Sequence, residues 1–459
     1  MGLSGLKLLF SQQKNNINIK NRPNIIFILA DDLGYGDLGC YGQQKILTPN
    51  LNNMATQGVR FTQHYAGSAI CAPSRCSLLT GKHTGHTDIR SNKEMNSLGE
   101  YPILDQTVTV AEILKTQGYI IGAIGKWGLG IPGTEGTPNK QGFDYFFGFY
   151  SQKRAHSHYP NYLWENDKKI YFKNNKWKRK IYSPDLFTKK ALEFISNNQK
   201  KPFFLYLPYT IPHAELSIPF KYLKKYFGKF KERPYSGGLY RPQPTPRAAY
   251  AAMVTKLDED IGIISEHLKK LNLDNNTIIF FSSDNGPHNE GGNTPKFFNS
   301  TGGLRGIKRD LYEGGIRIPL IVKWPDEIKK AIVTDHISAF WDFLPTICDI
   351  LDIKPPDNID GISYLPTLLN QPQKEHEYLY WELYGLKFKR AVRINNWKAI
   401  QIFNDHKNNA AIELYNLKND PGESINSATE FPGIIEKVKN IFNKAHTSNK
   451  LYNLDAYKK

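Results

Sequence analysis

Two features of this 459-residue chain have the residue types and spacing for chemistry. The first is "CAPSRCSLLTGKHTGH", Cys71 to His86, where a cysteine stands two residues before a proline and is followed by Ser74, Arg75 and an apolar run that reads as helical. A thiol buried only for packing has no use for that neighbourhood. The second is a set of acids. "NIIFILADD" and "NTIIFFSSDNG" are apolar runs that close on Asp31 and Asp32 and on Asp284 and Asn285. Ligands of open α/β sheets bind beyond the carboxyl ends of the strands, and both groups lie at such ends. Three carboxylates and an amide make an all-oxygen donor set, which suits a hard cation such as Ca²⁺, or Mg²⁺, and not zinc.

Two phosphate-binding signatures fail on inspection. "GYGDLG", Gly34 to Gly39, follows a strand, but a dinucleotide site needs a helix N-terminus next, and "CYGQQKILTP" has no helical periodicity. Asp31 and Asp32 would also repel phosphate there. "LLTGKHTG" lacks the first glycine of a phosphate loop and has His83 in place of its Ser or Thr. Cys40, Cys71, Cys76 and Cys348 have neither zinc-site nor dithiol spacing, and four cysteines are too few for a disulfide scaffold.

The elements that must position these residues alternate between strand and helix. "NIIFILADD" reads as a buried parallel strand and "TPNLNNMATQG" as a helix capped by Thr48 with Pro49 in its first turn. "TVTVAEILKTQG" is a helix stopped by Gly118, followed by the strands "YIIGAIGKW" and "KPFFLYLPYT". Met253, Leu257, Ile261, Ile264, Leu268 and Leu271 step by threes and fours along one helix. Strands over 276–286 and 317–325 and a helix near 337–351 complete the run. The expected fold is α/β, a large, mostly parallel sheet sandwiched by helices. Beyond about residue 372 the texture changes to short strands, "EYLYWEL", "KRAVRINNWKAIQIF" and "AIELYNL", and a helix, "PGIIEKVKNIFNKA". The expected organisation is a leader over 1–21, a catalytic domain over 22–372 and a smaller C-terminal antiparallel sheet with its helix over 373–459.

Aromatic residues at 13% and hydrophobic residues at 40% supply a core, while no run reaches the roughly eighteen apolar residues of a membrane span. Residues 1–21 carry an apolar patch too short for a signal peptide and no small-residue cleavage site, so they read as a disordered leader, with the remnant of an export signal as the alternative. The formal charge of +17 is concentrated in runs such as 167–180 and 220–233. That is either a solvated lysine-rich face or a field that draws in polyanions. No zinc-finger spacing or RNP-type aromatic pair marks a nucleic-acid module.

"CAPSRCSLLTG" resembles the signature of the Cys-type, formylglycine-dependent sulfatases, arylsulfatase-like members of the alkaline phosphatase superfamily. The resemblance continues through "PNIIFILADDLGYGDLGCYG", "TPNLNNMATQGVRFTQHY", "GKWGLG", "TIPHAELSIP", "FSSDNGPH", "LRGIKRDLYEGGIRIPLIVKWP" and "ELYNLKNDPGE", in sulfatase order. It implies that a formylglycine-generating enzyme oxidises Cys71 to 3-oxoalanine, taking up the segment in extended form. Pro73 disfavours the helical region at Ala72, and a helix is expected from Ser74 and Arg75. Its positive N-terminus favours the sulfate.

The chemistry that this resemblance implies is hydrolysis of a sulfate ester. One hydroxyl of the hydrated aldehyde at 71 attacks sulfur, and the second then expels sulfate and regenerates the aldehyde. Asp31, Asp32, Asp284, Asn285 and residue 71 would hold the cation. Asp284 would accept the nucleophile's proton, Arg75 and Lys126 would stabilise formylglycine and sulfate oxygens, and His213 or Lys308 would protonate the leaving oxygen. The chain departs from the family at Gly128, where many relatives have histidine two residues after the lysine. His156 is expected to supply that imidazole, with His158 the alternative. The resemblance also implies a periplasmic or secreted enzyme.

The basic runs favour a sulfated carbohydrate as substrate, with specificity in loops 151–183 and 215–247. Two other readings stay open at this level. One is a phosphomonoester or phosphonate hydrolase of the same superfamily. The other is a catalytically silent polyanion-binding protein.

Overall fold

Every residue of Asn24–Ala30 is buried, so this strand must lie inside a sheet covered on both faces. Alternate side chains divide between two cores. Ile26 and Ile28 pack with Phe187, Met253, Leu257 and Ile261, while Ile25, Phe27 and Leu29 pack with Leu78, Leu114, Phe343 and Ile347. The first set comes from the helices Ser183–Asn197 and Pro246–Lys270, and the second from Cys71–Thr80, Val110–Thr116 and Phe343–Ile350. Each buried apolar side chain of this kind contributes roughly 1.5–3 kcal/mol. The fold is therefore helix, sheet, helix.

The computed structural model describes residues 22–403 and 410–457, so the leader expected over 1–21 lies outside the described residues. Among them the large sheet is 11-stranded. Its centre runs Thr277–Ser283, Asn24–Ala30, Phe203–Pro208, Ile120–Lys126 and Tyr145–Phe149, all parallel. On one side Arg317–Lys323 joins Thr277–Ser283 antiparallel, and Val59–Tyr65 lies antiparallel to it in turn. On the other, Tyr162–Glu165 and Lys168–Tyr171 form an antiparallel edge. The sheet is mixed but mostly parallel.

Two local features differ from the sequence expectation. Thr48 precedes the helix Pro49–Thr56, but its hydroxyl accepts from Gly39 N at 2.8 Å instead of capping. The helix expected near 337–351 is Phe343–Ile350, because Ser338–Ala339 pairs with Val59–Tyr65 and a 3₁₀ turn, Phe340–Asp342, intervenes.

A second sheet of four antiparallel strands, Leu379–Leu383, Phe388–Ile394, Trp397–Phe403 and Ile412–Asn416, follows. The helix Pro432–Lys444 covers one face through Val438 and Phe442, packed on Tyr380, Val392 and Leu414. The opposite face packs Trp381, Ala391 and Ile400 against Tyr65, Ile70 and Trp341. The Trp381 indole donates to Ala66 O at 2.9 Å, and the buried Arg90–Glu382 pair, at 2.6 Å, ties the same strand to the chain after the Cys71 helix. The small sheet thus props the segment that delivers Cys71. Trp381→Ala should cost about 3–5 kcal/mol through the cavity and the lost contacts, read as a lower thermal unfolding midpoint. An unchanged midpoint would show that the small sheet does not brace the Cys71 helix.

Candidate active site

The sheet topology brings the predicted residues together. Asp31 and Asp32 follow one central strand, Asp284 and Asn285 its parallel neighbour, and His213 lies just past the strand on the other side, while Lys126 ends the next. Parallel neighbours put all these carboxyl ends at one edge. Arg317–Lys323 runs the opposite way, so the segment leading into it, with Lys308, arrives at that same edge. Val59–Tyr65 is antiparallel to that strand, so its end and the helix Cys71–Thr80 arrive there too. At Gly286 an added Cβ would lie 1.9 Å from Gly314 O, so only glycine lets the turn after Asp284 approach the Lys308 segment this closely.

Three buried carboxylates are interleaved with three buried cations. Lys126 Nζ donates to Asp31 Oδ2 at 2.7 Å and Lys308 Nζ to Asp32 Oδ2 at 2.7 Å. Arg75 grips Asp284 Oδ2 through Nε at 3.1 Å and through its second amino group at 2.7 Å, and donates to Lys126 O at 2.6 Å. Asp284 Oδ1 accepts from Asp32 N at 3.0 Å, with Asp32 at φ 65°, a conformation rare outside glycine. The Oδ1 atoms of Asp31 and Asp32 face Cys71 Sγ at 3.4 and 4.0 Å. His213 Nε2 meets Lys308 Nζ at 2.8 Å and Asp32 Oδ2 at 3.2 Å.

Burial dominates the electrostatics. It works against charge on Lys126 and Lys308, but their neighbours together outweigh it, Asp31 foremost for Lys126 and Asp32 foremost for Lys308, and hold both ammonium groups above their usual range. Arg75 is held up in the same way by Asp284 and Asp31. Burial and then Lys308 push His213 well below the ordinary imidazole value, so it is neutral. Its Nδ1 faces Ala214 O and carries the proton, which leaves Nε2 as an acceptor for Lys308. Burial, then Asp284, push the Cys71 thiol far up, and an unmodified cysteine here is no thiolate.

The donor set fits a hard cation. Asn285 Nδ2 donates to Asp32 Oδ1 at 2.7 Å and to Gly286 O at 2.9 Å, while its Oδ1 is buried without a hydrogen-bond partner. A buried amide oxygen left without a donor, on a residue bonded to Asp32, is an acceptor that a divalent cation satisfies. Asp31, Asp32, Cys71 and His213 bring ligand atoms within 4.8 Å of one another, which places His213 beside the acids, whereas both oxygens of Asp284 are already engaged.

The Cys71 helix begins three residues earlier than expected. Cys71 itself opens it, after extended Ile70, and Ala72 is helical despite the following proline. Pro73 falls in the first turn, where its missing N–H costs nothing, and Asn92 Oδ1 accepts from Ala72 N at 2.9 Å. One turn separates Cys71 from Arg75, so both face the site.

At Gly128 the backbone has φ +76°, and a Cβ would lie 1.8 Å from Gln152 Nε2, so Gln152 fills the space of a side chain there. Of the two substitutes, His156 is stacked on His213 with ring centroids 4.5 Å apart. His158 is engaged at both nitrogens, Nδ1 with Thr210 Oγ1 at 3.0 Å and Nε2 with His213 O at 3.1 Å. Sequence reasoning missed His288, Glu290 and Tyr240. His288 accepts from Glu290 N at 3.0 Å, Tyr240 donates to Glu290, and Glu290 pairs with Arg309 at 2.6 Å. His288 belongs to the quoted block "FSSDNGPH", four residues beyond Asp284, and that was its only signal.

Comparison with known families decides the identity. The sulfatase family model matches residues 23–353, and the model of the N-sulphoglucosamine sulphohydrolase C-terminal region matches 306–448. The chain belongs to the sulfatase family. It is 30% identical to an N-acetylgalactosamine-6-O-sulfatase of Bacteroides thetaiotaomicron, with 95% of each chain covered, and 31% identical to the Canis lupus familiaris N-acetylgalactosamine-6-sulfatase over 82% of this chain and 71% of that one. Among solved structures it is similar to Ps i-CgsB in complex with k-i-k-neocarrahexaose, at 27% identity and a TM-score of 0.78 over 93% of both chains. This sulfatase is a sulfuric ester hydrolase.

Lys126→Met removes a buried cation from Asp31. Breaking such a pair costs about 3–5 kcal/mol, and losing a fixed positive donor lowers kcat by about 10²–10³-fold. Thermal unfolding and sulfate-ester turnover of the variant test both. Retention of both would mean that the ion pair is dispensable.

Proposed function

We propose that this sulfatase removes sulfate from a sulfated carbohydrate, with Cys71 converted to formylglycine and a Ca²⁺ or Mg²⁺ ion held by Asp31, Asp32, Asp284, Asn285 and residue 71. The observation that carries the reading is the convergence on Cys71 Sγ of two aspartate Oδ1 atoms, inside a ring of Arg75, Lys126 and Lys308. The hydrated aldehyde supplies a nucleophilic hydroxyl, and the cation lowers that hydroxyl's pKa and screens sulfate charge.

The protein's own residues do the rest. Arg75 and Lys126 lie on the Asp31 side and present fixed positive charge to the ester's sulfonate oxygens in a water-poor pocket. Lys308 Nζ holds a proton where neutral His213 Nε2 only accepts, so Lys308 is the donor to the leaving oxygen and His213 keeps it aimed. Asp32, against the effect of burial, keeps Lys308 protonated. His156 stacks on His213, but burial and then Lys126 and Lys308 press its pKa down to about 3, which makes it a weak base for the proton lost when sulfate is expelled. The two named sulfatase relatives and the neocarrahexaose complex support a carbohydrate substrate.

The test compares turnover of p-nitrophenyl sulfate, p-nitrophenyl phosphate and a sulfated oligosaccharide, before and after EDTA and in Cys71→Ala. The expected order places both sulfate esters above the phosphate, with activity falling on chelation and vanishing in the variant. Faster phosphate hydrolysis, or an undiminished Cys71→Ala enzyme, would contradict the reading.

A further inference from the structure

We propose that a cavity of about 290 Å³ beside the reaction centre is a subsite for a second anionic group, carried by the sugar unit next to the one that loses sulfate. This rests on the carbohydrate reading above. The cavity is walled by Lys153, Arg154, Tyr159, Tyr162 and Arg241 among others, so cations and aromatic rings share one concave surface.

Its cations are weakly neutralised. The Arg154 guanidinium lies 5.1 Å from the centre of the Tyr162 ring, and among the described residues no carboxylate lies within ion-pair distance of it. Lys153 reaches Glu94 only at 4.0 Å, with both side chains well exposed, an arrangement worth little. Arg241 Nε stands 3.7 Å from Glu215 Oε2, but Arg179 already holds Glu215 Oε1 at 2.7 Å. A guanidinium with spare donors is matched by the planar or tetrahedral oxygens of a carboxylate or sulfate. The Tyr162 ring, carrying Arg154 at 5.1 Å and Lys169 at 4.9 Å, holds the arginine on this wall. The volume lies near the lower bound of small-ligand sites, about 300 Å³, so it holds one sugar unit and not a chain.

The cavity is joined to the catalytic residues by single residues. Arg154 and His156 share one 3₁₀ turn, Arg154–His156, with Arg154 on the cavity and His156 stacked on His213. Arg241 follows Tyr240, whose ring centroid is 5.6 Å from that of His156 and 6.4 Å from that of His213. Glu215 N, which also anchors this wall, donates to His156 O at 2.9 Å. A ligand that spans the wall touches the turn that places the imidazole.

The anion is a second sulfate ester or the carboxylate of a uronic acid, and the experiment separates them. The Arg154→Ala/Arg241→Ala enzyme is compared with wild type on p-nitrophenyl sulfate and on three disaccharides that each carry the scissile sulfate. The neighbouring unit is neutral, sulfated or a uronate. The proposal predicts that kcat/KM of the double variant falls at least about tenfold, mainly through KM, on the sulfated or the uronate disaccharide. The substrate that shows the fall names the anion. Values on p-nitrophenyl sulfate and the neutral disaccharide stay within about twofold, and Arg154→Lys/Arg241→Lys recovers part of the loss.

Equal kcat/KM ratios on all four substrates overturn the subsite. So does an equal loss on all four, which would make the arginines supports for His156. Should wild type turn over no sulfate ester, the reading of the reaction fails first. The subsite is then judged by calorimetric titration of the disulfated and uronate disaccharides into wild type and double variant, where equal affinity overturns it.

Discussion

The structure depends on keeping six buried charges within hydrogen-bonding reach of one another. Asp31, Asp32 and Asp284 would repel in a medium that excludes water, and Arg75, Lys126 and Lys308 would each be costly alone. Interleaved, they are tolerated. Each cation donates to a carboxylate oxygen, and two remaining oxygens are left turned toward residue 71. A buried ion-pair cluster is weak evidence for stability, but it is a strong way to fix geometry, because removing any one member strands its partner.

That requirement explains the sheet. Six charges from separate parts of the chain meet only if the chain repeatedly returns to one edge, and a parallel centre brings four of them there on the ends of three strands. The antiparallel Arg317–Lys323 completes it by bringing in the Lys308 segment and, through Val59–Tyr65, the Cys71 helix with Arg75. The C-terminal sheet serves the same end from outside. Trp381 and the Arg90–Glu382 pair hold the chain on either side of Cys71–Thr80. Under the proposed reading, substrate selection falls to the loops around 150–162 and 240, which carry no central-sheet strand and can vary without disturbing the charges.

The central strands were legible in the sequence because burial on both faces writes an uninterrupted apolar run, as in "NIIFILA" and "TIIFFSS", and because their ends carry acids. The orientation of Arg317–Lys323 was not, since an apolar strand reads the same in both directions. The helix start was displaced because the local bias of the residue before proline was overridden by packing and by Asn92. Lys126, His213 and Lys308 have no local signal beyond their family blocks, and the structure brings all three to the acids. Glu290, Tyr240 and the cavity arginines were invisible for a simpler reason. Arg154 and Arg241 are distant in sequence and meet only through the fold.

The claim on which the whole account turns is that the converging oxygens and cations are built around a modified residue 71. The most direct measurement is the mass of the peptide containing Cys71 after expression beside a formylglycine-generating enzyme. The account predicts a loss of about 18 Da from the thiol form, the difference between CH₂SH and CHO. An unmodified thiol in protein that still hydrolyses sulfate esters would contradict it.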